Sequence, residues 1–205
     1  MNITECLNDL PSGISFPNGM VAVDCEMMGL NVHRDRLCLV QVGDGEGNVW
    51  LVQFDGVTWN APNLCAMLTD SRLLKLFHYG RKDLVTLYHY LGIMTSPVYD
   101  TKIASKFART YTEGHGLRSC VKEYLGVDLD KSITSTNWGA AELSDTQKKY
   151  ATEDVLYLHQ LKEHLDAQLK QENRLHLAQM CFDFLPSRVA IDLAGWEDID
   201  MFAHR

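Results

Sequence analysis

Apolar positions recur along this chain with two periods. Met20-Val-Ala-Val-Asp24, Leu37–Val42 and Val49–Phe54 are short, β-branched apolar runs, and the turn-rich spacer Gly43-Asp-Gly-Glu-Gly47 parts the second from the third. That pattern predicts strands in an antiparallel meander. Leu73–Tyr79 predicts a fourth strand and Pro97–Asp100 a short fifth. Helical spacing occupies Pro62–Leu68, Lys82–Leu91, Thr101–Phe107 and Gly116–Leu125, then a long segment from Ser144 to about Glu172. Ser144-x-x-Gln147 matches a capping box, which would start that last helix just before Tyr150. There is no internal repeat and no low-complexity run.

Composition narrows the setting. At 205 residues, 46% hydrophobic and 22% charged, the chain is long enough for a substantial core and predicts a single domain. The formal net charge of −8 argues against sequence-independent binding of a long polynucleotide, which relies on many Lys and Arg contacts to phosphate. No stretch of about eighteen apolar residues predicts a membrane span, and Met1–Gly19 lacks a basic start followed by a long apolar run. Cys6, Cys25, Cys38, Cys65, Cys120 and Cys181 are scattered without Cys-x2-Cys spacing, so neither a zinc site nor a disulfide framework is expected. A reducing cytoplasm is the expected home.

The candidate chemistry lies at three places. In a strand, residues two apart point to one face, so Asp24 and Glu26 would project side by side. On a helix, Tyr150 and Asp154 at i,i+4 are neighbours, with about 5–6 Å between their β-carbons. Asp83, after Arg81-Lys82, could complete the cluster from a third element. Each piece alone has an ordinary reading: a solvated strand end, an acid facing a helix N-terminus, a half-buried aromatic beside a surface acid. Together, three or four carboxylates repel one another unless cations neutralise them, and hard oxygen donors suit Mg²⁺ or Mn²⁺. Two such ions about 3.5–4 Å apart can hold the attacking and leaving oxygens of an in-line displacement at phosphorus.

The order and surroundings of these pieces resemble the DEDD 3′-to-5′ exonucleases, in the tyrosine subclass and the ribonuclease D-like branch. The resemblance rests on Val-Ala-Val-Asp24-Cys-Glu26 followed by Gly29-Leu30, on Phe77-His78-Tyr-Gly-Arg-Lys-Asp83, and on Trp138-x4-Leu143-Ser-x2-Gln147-x2-Tyr150-Ala-x2-Asp154-Val-x-Tyr157-Leu158. The histidine subclass would carry His where Lys149 stands, whereas Tyr150, four residues before Asp154, fits the tyrosine subclass. Thr101-Lys-Ile-Ala-Ser-Lys106 and the tail from Phe184-Leu-Pro through Gly195-Trp196 to Phe202-Ala-His are similar to the small, diribonucleotide-degrading nanoRNase members of that branch. Cys25 replaces the branch's usual Thr, and Ala141-Glu142-Leu143 its common Arg-Pro-Leu, with no ligand position lost. Cys25 should point away from Asp24 and Glu26.

The resemblance implies an α/β, ribonuclease H-like fold, a mixed sheet flanked by helices, with the core at about residues 20–165 and a C-terminal helix and apolar tail at about 166–205. It implies hydrolysis of dinucleotides and very short RNA to nucleoside 5′-monophosphates with two divalent ions, Mg²⁺ or Mn²⁺. Asp24, Glu26 and Asp154 would hold the ion that activates water, Asp24 and Asp83 the second, and Tyr150 would act as base or water-positioner. Ribonuclease D resembles this core with helical nucleic-acid-binding domains appended, and the forty or so residues after Leu165 are too few for those. Ring-like octamers built from dimers are implied as well, with the apolar stretch Phe182–Trp196 and Phe202 packing either on its own domain or on a neighbour.

For the substrate end, Arg109-Thr-Tyr111-Thr-Glu-Gly-His115-Gly-Leu-Arg118 places a Tyr, a His and two Arg at a predicted helix start, either a clasp for a 5′-phosphate or a solvated loop. Lys102 and Lys106 could join that patch or face solvent. Leu30 either wedges against a base or belongs to the core, and His78 is either a structural His near the cluster or a substrate contact. Two other functions stay open: ribonuclease D-like trimming of longer RNA 3′ ends, and a non-catalytic nucleic-acid-binding module. DNA stays open as an additional substrate, since no residue visibly tests for a 2′-hydroxyl.

Overall fold

The computed structural model describes residues 1–16, 18–129 and 136–204. Six strands form one sheet: β1 (Asn2–Leu7), β2 (Met20–Met27), β3 (Leu37–Gly43), β4 (Asn48–Gln53), β5 (Leu74–Phe77) and β6 (Val98–Asp100), in the spatial order β1-β4-β3-β2-β5-β6. β2, β3 and β4 pair antiparallel, the meander that the Gly43–Gly47 spacer predicts, while β2–β5, β5–β6 and β1–β4 pair parallel. The mixed sheet matches the expected architecture. β1 was not anticipated: Asn-Ile-Thr-Glu-Cys-Leu is mostly polar and half-exposed, and it is an edge strand defined by its pairing with β4.

Helices α1 (Pro62–Thr69), α2 (Arg81–Leu91), α3 (Thr101–Ala108), α4 (Leu117–Leu125), α5 (Asp145–Leu156), α6 (Leu158–Gln171) and α7 (Leu175–Ile191) cover both faces of the sheet. Strand alternation makes this possible. Val21, Val23 and Cys25 turn to the side of α1 and α2, with Leu64, Leu68, Leu84 and Leu87. Ala22 turns to the other side, with Ala104 of α3, Ala151 and Val155 of α5 and Leu161 and Leu165 of α6. β3 is buried along its whole length. Burying a Leu or Val side chain stabilises by about 1.5–3 kcal/mol, so these two layers supply the bulk of the driving force.

The predicted helix from Ser144 to about Glu172 is two helices. Tyr157, at φ −103° and ψ −3°, breaks the chain between α5 and α6 without a Gly or Pro to announce it. Buried Lys75 on β5 staples the sheet to its loops, donating from Nζ to the carbonyls of Asp70 (2.8 Å) and Ser96 (2.6 Å); burial lowers its pKa to about 8. None of the described helices is long and apolar enough to cross a membrane.

Candidate active site

The site forms where β2, β5 and β6, mutually parallel across the sheet, reach their C-terminal ends, the customary place for ligands in open α/β sheets. Asp24 and Glu26 lie half-buried on one face of β2, and Cys25 between them is buried in the opposite layer, as alternation requires. Gln41, directly across from Asp24 on β3, donates from Nε2 to Asp24 Oδ2 at 3.3 Å. The register shifts between Glu26 and Met27, after which Met27 pairs with Leu37.

Asp83 arrives from the turn after β5. Tyr79 takes a left-handed conformation (φ 64°), uncommon outside Gly and Asn, and buried Asp100 holds the turn by accepting from the amides of Tyr79 (3.2 Å) and Gly80 (2.8 Å). The same carboxylate caps α3 through Lys102 N (2.8 Å) and Ile103 N (3.0 Å). A Cβ on Gly80 would meet Phe77 Cβ at 2.5 Å, so the chain can turn this sharply only with glycine there. α2 then starts at Arg81, and Asp83 in its first turn is buried beside the charges of Asp24 and Asp154.

The third component is α5. Its capping box is complete: Ser144 Oγ accepts from Gln147 N (3.3 Å) and Gln147 Oε1 accepts from Ser144 N (2.9 Å). That fixes the helix phase, so Tyr150 and Asp154 share a face. Carboxylate oxygens of Asp24, Glu26 and Asp154 come within 4.8 Å of one another. Burial is the main force raising all four acids: it pushes Asp24 up to about 7 against a backbone hydrogen bond at Cys25, and repulsion from neighbouring acids adds to it for Asp154 (about 9), Glu26 (about 10) and Asp83, well above its ordinary value. Burial, then Asp154, Glu26 and Asp24, also raise the Tyr150 phenol, while Arg118 opposes them. Trp138 packs near the Tyr150 ring, 6.2 Å between centroids.

Around this cluster α3 organises the other candidates. His78 Nδ1 pairs with Thr101 Oγ1 at 2.8 Å, and since that hydroxyl donates to Phe77 O (3.0 Å), Nδ1 is the donor. Burial and Lys102 lower the His78 pKa to about 3, so the ring is neutral. His115 pairs with Ser105 Oγ at 3.0 Å and feels the charge of Lys106. Lys102 Nζ sits 3.7 Å from the Tyr79 ring centroid, and exposed Lys106 lines the same pocket as Lys102 and Tyr79. Arg118 lies close enough to Tyr150 to act on its phenol.

Two expectations need correction. Arg109 is not part of a phosphate clasp: it is 1% exposed, pairs with Glu123, and donates to Gly114 O (2.6 Å) and Ser105 Oγ (3.1 Å). Tyr111, though exposed, donates its hydroxyl to the same Glu123. All three guanidinium nitrogens are engaged within the protein, and the group is buried away from any ligand. Leu30 is 78% exposed and not core. The loop after β2 winds about Asp35, which accepts from Asn31 N (2.9 Å) and from Arg34. A Cβ on Gly29 would lie 2.4 Å from Asp35 Oδ2, so Gly29 lets that loop close and hold Leu30 outward.

Gln41, Tyr79 and Asp100 were missed from sequence. Gln41 had a signal, as the one amide inside the apolar run Leu37–Val42; Asp100, immediately before a predicted helix, reads as an N-cap.

A family model described as 3′-5′ exonuclease matches residues 3–170. Ribonuclease D of Haemophilus influenzae is 35% identical over 149 residues, covering 73% of this chain and 37% of that protein, so the chain spans under half the length of such curated relatives. Among solved structures, Brucella melitensis NrnC bound to pGG is 46% identical with a TM-score of 0.96, covering 100% of each chain. The same NrnC with bound Mg²⁺ gives 46% and 0.94 over 100% of each.

Proposed function

Because this chain belongs to the 3′-5′ exonuclease family, in its ribonuclease D-like, nanoRNase C branch, we propose that it hydrolyses dinucleotides and very short RNA from the 3′ end, releasing nucleoside 5′-monophosphates. The observation that carries this reading is the convergence of Asp24, Glu26 and Asp154 within 4.8 Å, with Tyr150 one turn before Asp154. These residues fit divalent ions: all donors are hard oxygens, and every acid is held above its ordinary pKa, chiefly by burial, so that charging the cluster calls for a cation. Asp24, Glu26 and Asp154 would hold one ion, and Asp24 with Asp83 a second. Mg²⁺ or Mn²⁺ so held supplies the charge that acidifies water and takes up charge on the attacking and leaving oxygens.

The protein's own groups do the positioning. Gln41 orients Asp24, and the Tyr79–Asp100 turn presents Asp83. A phenol pushed above its usual range is protonated at neutral pH, so Tyr150 orients the attacking water and is not itself the resting base. Leu30 would pack against a base. Lys102, Lys106, His115 and Arg118 would face the substrate phosphate, and neutral His78 would hold its side of the site. NrnC seen with pGG supports a short substrate, as does the net charge of −8.

The exposed apolar side chains Met180, Phe184, Trp196 and Phe202 support a homo-oligomer. We place the enzyme in the cytoplasm as one exonuclease domain.

The test is a time course with 5′-labelled RNAs of two to about twenty nucleotides in Mg²⁺ or Mn²⁺, with Asp24→Asn as control. Fast loss of the dinucleotide is expected. Steady shortening of every length would replace this reading with ribonuclease D-like trimming, and metal-independent or absent cleavage would leave a binding module.

A further inference from the structure

The chain after α7 does not leave the domain. It passes through a wide turn, Asp192–Trp196, where Gly195 takes φ 92°, a conformation open to glycine and strained for other residues, and comes back over the start of α2. Two arginines hold it. Arg81, the first residue of α2, grips Asp192 with Nε and Nη2 at 2.7 Å each and also reaches Glu197 O at 2.5 Å. Arg188 of α7 takes the same carboxylate at 2.8 Å and the carbonyls of Trp196 (2.7 Å), Glu197 (3.0 Å) and Ile199 (3.1 Å). Asp192 is buried, and both arginines hold its pKa below the ordinary range against the opposing effect of burial.

This clamp places the turn in a definite position. Glu197 and Asp198 line one wall of a pocket of about 420 Å³ whose other walls are Leu30, Tyr79, Lys82 and Val85. Tyr79 belongs to the turn that presents Asp83, and Leu30 to the loop that follows the Asp24–Glu26 strand, so the segments flanking the acids also wall this pocket. Its volume is near the lower end of the roughly 300–1,000 Å³ usual for small-molecule sites, room for one small group. Arg81 and Asp192 neutralise each other, leaving Lys82 against the two acids of the turn, and Asp198 is near enough to act on Arg81.

We propose that this clamped turn is the specificity-determining wall of the site: it closes the pocket beside Leu30 so that a third nucleotide, with its further phosphate, meets both a closed wall and like charge. The proposal rests on the exonuclease reading above. Arg81, Asp192 and Arg188 act through the turn and are positioning residues.

Two proteins test it, Asp192→Asn, which loosens the clamp, and Glu197→Gln/Asp198→Asn, which leaves the clamp and removes the charge. The quantity read is the ratio of kcat/KM for a seven-nucleotide RNA to that for a dinucleotide, measured in Mg²⁺ from 20 to 200 mM KCl. Each variant is expected to raise the ratio at least fivefold at low salt. The wild-type ratio should itself rise with salt as the repulsion is screened, and that rise should be absent in the double variant. A ratio within twofold of wild type in either folded variant overturns the proposal. Wild-type protein that cleaves no RNA would instead bring down the exonuclease reading, a result distinct from a selective wild type whose variants keep its selectivity.

Discussion

Asp24→Asn should abolish hydrolysis and yet stabilise the metal-free protein at alkaline pH. In the folded chain burial pushes the Asp24 pKa from 3.8 to about 7. The folded state therefore keeps a proton that the unfolded chain releases, and the stability tied to this group is fully present below pH 4 and lost as pH climbs through 7. At about 1.4 kcal/mol for each tenfold change in proton affinity, the gap sets a ceiling of ~4 kcal/mol above pH 7. Glu26, Asp154 and Asp83 would relax when one neighbour is neutral, so a realised difference of about 2 kcal/mol is the working figure, or about 4–8 °C in Tm for a chain of this size. The assay is thermal unfolding of both proteins in chelator from pH 3.5 to 8.5, repeated in millimolar Mg²⁺. In chelator the curves should converge below about pH 4, part progressively between pH 4 and 7 and stay apart to pH 8.5, with the variant more stable; in Mg²⁺ at neutral pH the wild type should overtake it, since a ligand that binds only the folded state stabilises it. A variant less stable than wild type at pH 8.5 in chelator, or a constant offset across the range, refutes the reasoning.

Tyr150→Phe keeps the ring packed near Trp138 and removes only the hydroxyl, so kcat should fall by about 10²-fold or more while Mg²⁺ still raises Tm as in wild type, checked by single-turnover kinetics beside thermal shift. Leu30→Ala should leave Tm within a degree or so, because the side chain is 78% exposed, and should raise KM for a dinucleotide about fivefold, read from steady-state kinetics; an unchanged KM would remove Leu30 from the substrate. Arg109→Leu should lose about 2–4 kcal/mol in urea unfolding, since it orphans Gly114 O and Ser105 inside the loop, and normal stability with weakened 5′-phosphate binding would restore the clasp.

What could be read from sequence divides along a physical line. Asp24 with Glu26, and Tyr150 with Asp154, are spaced by the periods of a strand and a helix, so each pair follows from local geometry alone. Asp83 depends on a left-handed Tyr79 and on a cap delivered from Asp100 across the sheet, and only the family resemblance connected it to the other acids. Edge strand β1 carries little apolar signal because its partner defines it. The break at Tyr157 is made by packing of α5 on β3 and α6 on α3, with no breaker residue to mark it. Arg109 is buried and Leu30 exposed, each against its type, for one reason: residue type sets an average tendency to burial, and a loop wound round one acid, Glu123 or Asp35, inverts it.

The same inversion bears on the charge balance. Of nineteen Lys and Arg, Arg109 and Lys75 are buried, Arg81 and Arg188 are committed to Asp192, and Lys148 and Lys162 pair with Glu5 and Asp166. A cation already paired with the protein's own carboxylate releases no counterion-derived free energy to an incoming polyanion. Lys102 and Lys106 are outside that group: one turn of α3 separates them, Lys102 lies over the ring of Tyr79 in the turn that presents Asp83, and Lys106 lines the same pocket. On the reading proposed above, a short basic patch beside four acids suits one end of a small substrate, since the paired cations named here, among the described residues, already hold the protein's own loops and tail.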